Sequence, residues 1–377
     1  MNNQTNYNEE FSSIDKYTIK EGTENKILVA MSGGVDSSAA ALLVTRNGSE
    51  AIGVTMKLHD SETNKVNTCC SLEDTEDARN VCRKLGIPYY VFNFKAAFKD
   101  YVINPFIEAY ENGRTPNPCI ECNRKLKFDT LYKRAKALGF DKIATGHYAK
   151  IEYEDGRWSL KKAVDKNKDQ SYVLYSLTQE ELSRTLFPLG NLTKAEVREL
   201  VADHDKKTSA KKESQDICFV PDGKYANFIK KTTKKEYKKG NFVDLDGNIL
   251  GTHDGIINYT IGQRRGLNIN SQSRMYVESI RVASNEVVVS KIENLSKTTF
   301  TVNKLNLIAF DSIPEEFRAA VKIRYAHQEQ DASIYKLNDD EVKVVFDQPQ
   351  FAITSGQAAV FYEGEKVLGG GTIDKIL

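Results

Sequence analysis

Apolar and polar residues alternate in blocks along the first half of this chain, and the blocks have two lengths. Lys26-Ile-Leu-Val-Ala-Met31, Ala51–Met56, Pro88–Phe94 and Lys142–Thr145 are short apolar runs of the kind that form buried strands. Longer stretches with helical spacing lie between them. Ala39–Arg46 is built from good helix formers and stops near Asn47-Gly48. A second helix opens at Ser71-Leu-Glu-Asp with a capping-box-like start and places Ala78, Val81, Cys82 and Leu85 on one face. Lys125–Leu138 and Asn191–His204 complete the set. Strands alternating with helices predict an α/β fold, a doubly wound parallel sheet with helices on both faces, over about Glu24 to Asp216.

The pattern changes after Cys218. Asn241 to Ser290 holds many glycines and short apolar runs, which suits a small β-rich central domain. From Thr299 onward, Thr299–Val302, Ala320–Arg324, Glu341–Phe346 and Ala358–Tyr362 sit between turn signals such as Asn338-Asp-Asp340 and Gly369-Gly-Gly371. Strands so spaced predict a compact antiparallel barrel or sandwich. The expected divisions are a polar, disordered leader at 1–23, a catalytic domain at 24–216, a central domain at 217–298 and a C-terminal domain at 299–377.

Composition narrows the class. No apolar run approaches the ~18 residues of a membrane span, and the leader lacks the apolar core of a secretory signal. Six cysteines in 377 residues, without such a signal, argue for a reducing compartment, so the protein is expected to be cytoplasmic, with no membrane partner. Net charge is only +1, but Lys206 to Gly240 carries eleven lysines against four acids. Alone this reads as a solvated surface; beside a polyanion it becomes a docking field.

The sharpest chemical signal is Ser32-Gly33-Gly34-Val35-Asp36-Ser37-Ser38, placed between a buried strand and a helix. Two glycines allow a tight turn and close approach of a ligand. The helix that follows offers unpaired N–H groups and a positive dipole end, which favours phosphate. The serines add hydroxyl donors, and Asp36 suits a Mg²⁺ carried by that phosphate. The string lacks Gly-Lys-Ser/Thr and is not Gly-x-Gly-x-x-Gly. It resembles the PP-loop of the ATP pyrophosphatases, which split ATP into AMP and pyrophosphate while adenylating a substrate.

Of the cysteines, Cys82 falls on an apolar helix face and reads as core, and the adjacent Cys69-Cys70 read as a loop pair. Asn117-Pro-Cys119-Ile-Glu-Cys122-Asn123 and Ser214-Gln-Asp-Ile-Cys218-Phe219 are more informative, because Cys-x-x-Cys occurs in redox and metal sites. Together with Thr145-Gly-His147-Tyr, Lys168-Asp-Gln-Ser-Tyr172 and Asn258-Tyr-Thr-Ile-Gly-Gln-Arg-Arg-Gly-Leu267, they give six motifs in one order. The set resembles the tRNA-specific 2-thiouridylases from about residue 26 to the C-terminus.

That resemblance implies a PP-loop domain, a central tRNA-contacting domain and a C-terminal β-barrel. It implies ATP-dependent 2-thiolation of the wobble uridine (position 34) of tRNAs for Lys, Glu and Gln, with ATP and Mg²⁺ as cofactors and a persulfide sulfur-donor protein as partner. A monomer or weak dimer is expected. Cys218 would carry the persulfide and Cys122 would be the nucleophile that ends in a disulfide with it. Ala30, Met31, Ser32, Gly33, Gly34, Val35, Asp36, Ser37, Met56 and Gly146 would contact ATP. Asn117, Pro118 and Cys119 would lie against the target base, and His147, Lys168, Asp169, Gln170, Arg324, Tyr325 and Gln357 would contact tRNA. Many members carry Asp where this chain has Cys119. The third thiol opens an alternative, a [4Fe-4S] cluster on Cys119, Cys122 and Cys218 that delivers the sulfur. An amidating synthetase would need an ammonia source that no glutaminase-like segment supplies. A non-catalytic RNA-binding or iron–sulfur protein would not need the intact phosphate loop.

Overall fold

The structure is a computed structural model that describes residues 26–59, 72–211, 217–220, 222–269, 271 and 273–377. The leader, the Cys69-Cys70 pair and much of Ser214-Gln-Asp-Ile lie outside the described residues, as does Ser71 at the start of the second helix.

The first sheet contains β1 (Lys26–Ala30), β2 (Glu50–Lys57), β3 (Tyr89–Asn93) and β4 (Lys142–Ala144). After a hairpin, β5 (Lys150–Glu154) and β6 (Arg157–Lys161), comes its last strand, β7 (Thr185–Leu186). The order is β3-β2-β1-β4-β7 and every pairing is parallel. Side chains alternate across a strand, and both faces of β1 are buried. Ile27, Val29 and Met31 pack with α1 (Val35–Arg46) and α2 (Leu72–Leu85) through Ala40, Ala41, Val44, Ala78, Val81 and Cys82. Leu28 faces the opposite core, with Phe98, Phe106, Leu126 and Leu131 from helical stretches on that side. Helices on both faces explain the nearly continuous apolar runs.

Several boundaries differ from the sequence pattern. Helix α1 begins at Val35, four residues before the expected Ala39, because Ser37 and Ser38 are buried in its first turn, their hydroxyls donating to the Gly34 carbonyl. The helix expected at Lys125 begins at Pro118 and continues to Ala137, with a π-helical stretch over Cys122–Thr130. It therefore carries both Cys119 and Cys122. Helical structure over 95–111 was not expected from the sequence.

A four-stranded sheet follows, formed by β8 (Gly240–Val243), β9 (Ile249–His253), β10 (Tyr276–Arg281) and β11 (Glu286–Ser290) in the order β10-β11-β8-β9. The last six strands are β12 (Ser296–Leu307), β13 (Glu316–Lys322), β14 (Gln330–Asn338), β15 (Glu341–Phe351), β16 (Ala358–Glu363) and β17 (Lys366–Ile376). They run β12-β15-β14-β13-β16-β17, and β17 pairs back onto β12, closing an antiparallel barrel around Phe300, Val344, Phe346 and Phe361. Closure removes the exposed edges an open sheet would leave. Among the described residues no helix is long and apolar enough to cross a membrane.

Hairpin β5–β6 joins the barrel sheet, with Lys161 paired to Lys366. Arg157 donates to the carbonyls of Ile308 (2.6 Å) and Phe310 (2.9 Å), and the buried Tyr172 hydroxyl donates to the carbonyl of Ala358. The outer barrel residues Ala358, Val360 and Tyr362 share an apolar core with Cys122 and Phe219. This docking carries distant sequence motifs to one place.

Candidate active site

The strand order reverses at β1, which lies between β2 and β4. In open parallel sheets the crevice beyond the carboxyl ends of such strands is where ligands bind. Here β1 leads into the glycine turn and β4 into Thr145-Gly146-His147. The two meet directly. A Cβ placed on Gly146 would lie 2.7 Å from the carbonyl carbon of Asp36 and 2.8 Å from the amide nitrogen of Ser37, so only glycine lets this segment rest on the first turn of α1. Gly33 has φ +74°, and a Cβ there would come within 2.2 Å of the Asp74 carbonyl oxygen.

The turn is internally braced. Ser37 Oγ accepts from the Ser32 amide at 3.1 Å and donates to the Gly34 carbonyl at 3.1 Å. No side chain caps α1 at Gly34. An uncapped helix start beside glycine is suited to phosphate oxygens. Asp36 Oδ1 accepts from the Tyr148 hydroxyl (2.7 Å) and from Lys194 Nζ (2.6 Å). Lys211 Nζ donates to the Gly33 carbonyl and pairs with Asp74 and the buried Asp77. Burial raises the Asp77 pKa, but hydrogen bonds from Lys211 and Lys207 outweigh it and hold the carboxyl below its ordinary range.

The other residues expected to contact ATP lie near or just beyond the carboxyl ends of β1 and β2 or in the first turn of α1. Met31 and Val35 are core residues on the α1 side. Met56 is buried and Ala30 half-buried on the opposite side, in the same cluster as Cys122.

Asn117 caps the next helix, its side chain accepting from the Cys119 amide at 3.1 Å, and Pro118 is buried. Cys119 is exposed, Cys122 is buried at 8% exposure, and Cys218 packs half-buried against the core that holds Cys122 and Phe219. None of the three is joined in a disulfide among the described residues. The protein around Cys119 raises its pKa, and the nearby Lys127 ammonium opposes that rise. Among the described residues no three His, Cys, Asp or Glu side chains are grouped to hold a metal ion.

His147 is buried against Phe128 and Phe187, with Nδ1 2.7 Å from Thr145 Oγ1 and Nε2 3.5 Å from Lys127 Nζ. Burial and the Lys127 charge keep its pKa well below the usual imidazole value. Gln170 exchanges two hydrogen bonds with the Tyr148 backbone, steadying the tyrosine that holds Asp36. Asp169 accepts from the Ser171 hydroxyl at 2.7 Å, and Lys168 occupies the preceding turn. From the barrel, Tyr325 is 45% exposed, its hydroxyl donates to the Asp169 carbonyl at 3.3 Å, and it lies close enough to Cys119 to feel a charge there. Arg324 donates to the carbonyls of Phe351 and Ala352, and Gln357 to that of Thr115.

The sequence reading missed Lys127, Tyr148, Lys194, Lys211 and Lys322. Tyr148 follows the Gly146-His147 motif and could have been included, but the lysines carry no local signal. Lys127 lies 3.5 Å from His147 Nε2, and Lys322, which feels the Asp169 and Glu329 carboxylates, sits 5.7 Å from the centre of the Tyr325 ring. Two such cations beside the exposed Cys119 and Tyr325 suit an anionic ligand.

Residues 25–222 match the family described as tRNA methyl transferase HUP domain. Residues 226–291 match the tRNA methyl transferase PRC-barrel domain, and 297–373 the aminomethyltransferase beta-barrel domain. A relative named tRNA-specific 2-thiouridylase MnmA, from Carboxydothermus hydrogenoformans, is 50% identical over 358 residues, covering 93% of this chain and 98% of its own. One of the same name from Clostridioides difficile is 48% identical over 356 residues, covering 93% and 99%. A solved 4-thiouridine synthetase–RNA complex with bound ATP overlaps 56% of this chain and 51% of its own, at 17% identity and a TM-score of 0.37, too loose an overlap to argue from. With half of all positions shared along almost the whole length of both proteins, the chain belongs to the tRNA-specific 2-thiouridylase family.

Proposed function

We propose that the protein is a tRNA-uridine 2-sulfurtransferase acting on the wobble uridine of tRNAs for Lys, Glu and Gln. The observation that carries this is the seating of Gly146 on the first turn of α1 at the strand-order reversal. It forms a nucleotide cradle bordered by the core that also holds Cys122 and Cys218.

In this reading ATP binds with its phosphates on the Gly33–Ser37 turn, and Asp36 would act on Mg²⁺ indirectly, through the phosphates that carry the ion. The uridine lies against Asn117, Pro118 and Cys119, with Tyr325 and Arg324 on the barrel side. Its C2 oxygen attacks the α-phosphorus and pyrophosphate leaves. The terminal sulfur of a Cys218 persulfide then bonds to C2. The Cys122 thiolate attacks Cys218 Sγ, which breaks the sulfur–sulfur bond and leaves sulfur on the base as AMP departs. Cys122 and Cys218 end as a disulfide, which a dithiol must reduce. Lys127 and Lys322 supply positive charge where phosphate collects. The lysine-rich stretch, His147, Lys168, Asp169, Gln170 and Gln357 complete the tRNA contacts, through the backbone rather than base edges.

The protein works in the cytoplasm as a monomer or weak dimer and receives sulfur from a persulfide-bearing protein. Residues 24–216 are the catalytic unit, 217–298 contact tRNA and 299–377 form the barrel. No step of this reading runs through an iron–sulfur cluster. The test is nucleoside mass spectrometry of unmodified tRNA after incubation with enzyme, ATP, Mg²⁺ and a sulfur source. The expected product is 2-thiouridine with stoichiometric AMP. AMP without thiolated nucleoside, or neither product, would overturn the proposal.

A further inference from the structure

We infer that Cys119 is a resolving thiol that draws the disulfide from Cys122 to the protein surface. The inference rests on the proposed sulfur transfer, which leaves Cys122 and Cys218 oxidised.

The difficulty lies in where that disulfide forms. Cys122 is buried in an apolar cluster with Phe98, Phe106, Phe128 and Phe219, and Cys218 packs against the same cluster. Thiol–disulfide exchange needs in-line approach of an attacking sulfur, so access limits it. The Cys122 sulfur of that bond is closed to a protein reductant by its burial. Cys119 stands three residues before Cys122 in one continuous helical stretch and is exposed. That spacing sets the two Cβ atoms roughly 5–6 Å apart. A disulfide needs about 3.5–4.5 Å, which a small adjustment at the start of a helix supplies. Burial around Cys119 holds its pKa above the ordinary thiol value, and the Lys127 ammonium opposes part of that rise.

The step balances. The Cys119 thiolate attacks Cys122 Sγ, the Cys119–Cys122 bond forms, and the Cys122–Cys218 bond breaks. The electron pair leaves on Cys218 Sγ, which is then ready to accept the next sulfane sulfur. The proton released by Cys119 goes to solvent. A dithiol reductant finally reduces the exposed Cys119–Cys122 bond with two electrons.

The test uses the full-length enzyme, loaded with persulfide by polysulfide, cleared of reductant, and given ATP, Mg²⁺ and unmodified tRNA for one turnover. The sample is then acid-quenched and alkylated, and its crosslinks are mapped by peptide mass spectrometry. Wild type should hold Cys119–Cys122 as its main crosslink, whereas Cys119→Ser should hold Cys122–Cys218. With a dithiol protein such as thioredoxin as reductant, the ratio of steady-state rate to first-turnover amplitude should fall at least tenfold in Cys119→Ser. Wild type retaining only Cys122–Cys218, or an unchanged ratio in the variant, would overturn the inference while leaving the proposed reaction intact. If neither protein makes 2-thiouridine in the first turnover, the proposed reaction falls and this inference falls with it.

Discussion

Replacing Gly146 with alanine tests the seating of the nucleotide turn. The new methyl would lie 2.7, 2.8 and 2.9 Å from three backbone atoms of Asp36 and Ser37. Comfortable carbon contacts are ~3.5–4.0 Å, so the two segments must part by about 0.8 Å. Backbone cannot rotate away as a side chain can, and overpacking of this kind costs about 1–3 kcal/mol in stability. The larger effect falls on rate. A shift near 1 Å in a reactant seat costs on the order of 100-fold, or about 2.7 kcal/mol of barrier. The assay is pyrophosphate release with ATP and unmodified tRNA, run beside thermal melting. We expect kcat/KM to fall on the order of 50- to 100-fold. Gly139→Ala is the control, because that residue has φ +82° but nothing within 4 Å of its added methyl. It should lose about 1–2 kcal/mol of stability and none of the rate. A Gly146→Ala enzyme working within threefold of wild type would refute the idea that the end of β4 positions the turn.

Three further outcomes are expected. Asp36→Ala should abolish AMP formation while tRNA binding, followed by filter retention, persists; unchanged AMP output would remove Asp36 from phosphate chemistry. Lys211→Met should destabilise the fold by about 2–3 kcal/mol in urea, because Asp77 is left buried with only Lys207. Since the folded Asp77 pKa is lowered, its contribution is present above about pH 4 and lost as pH falls through the folded value, so wild type should show an acid transition that Lys211→Met largely lacks. His147 should stay neutral throughout pH 6.5–8, with its imidazole NMR shifts flat. Its depressed pKa also means that it stabilises the fold above about pH 6.5 and that this is lost on acidification, so a titration near neutrality would contradict its burial.

The fold was legible where local pattern decides it. The run Ile27–Met31 required burial on both faces, and the structure covers both, with α1 and α2 on one side and the 95–111 and 118–137 stretches on the other. The glycine turn was legible because so few conformations admit Gly33 at φ +74°. The helix carrying Cys119 and Cys122 was set seven residues too late. Asn117-Pro118 reads as a turn, yet the asparagine acts as a cap and the proline as a first helical residue. Hairpin β5–β6 lies between strands of the parallel sheet in sequence but pairs with the barrel, a long-range choice that no window of residues records. Tyr325 reaching Cys119 is illegible for the same reason.

That long-range docking determines which parts of the site are fixed. Around the cap at Asn117, the chain is stitched to the barrel by Arg114 to Asp374, by the Thr115 amide to the Ser355 carbonyl, and by Gln357 to the Thr115 carbonyl. Asn306 adds hydrogen bonds to the carbonyls of Tyr175 and Leu177, on the stretch that follows the Lys168-Asp-Gln turn. Breaking such contacts would leave carbonyls unsatisfied, at about 1–3 kcal/mol for each buried group. Tyr325, Cys119 and Cys122 are therefore held in one frame, and the nucleotide turn is tied to that frame through the shared core below β1. Cys218 packs half-buried against that same core, and upstream of it Lys211 grips Gly33 and Asp74. Cys122, on the helical stretch capped at Asn117 and buried in the shared core, is held in place by these contacts.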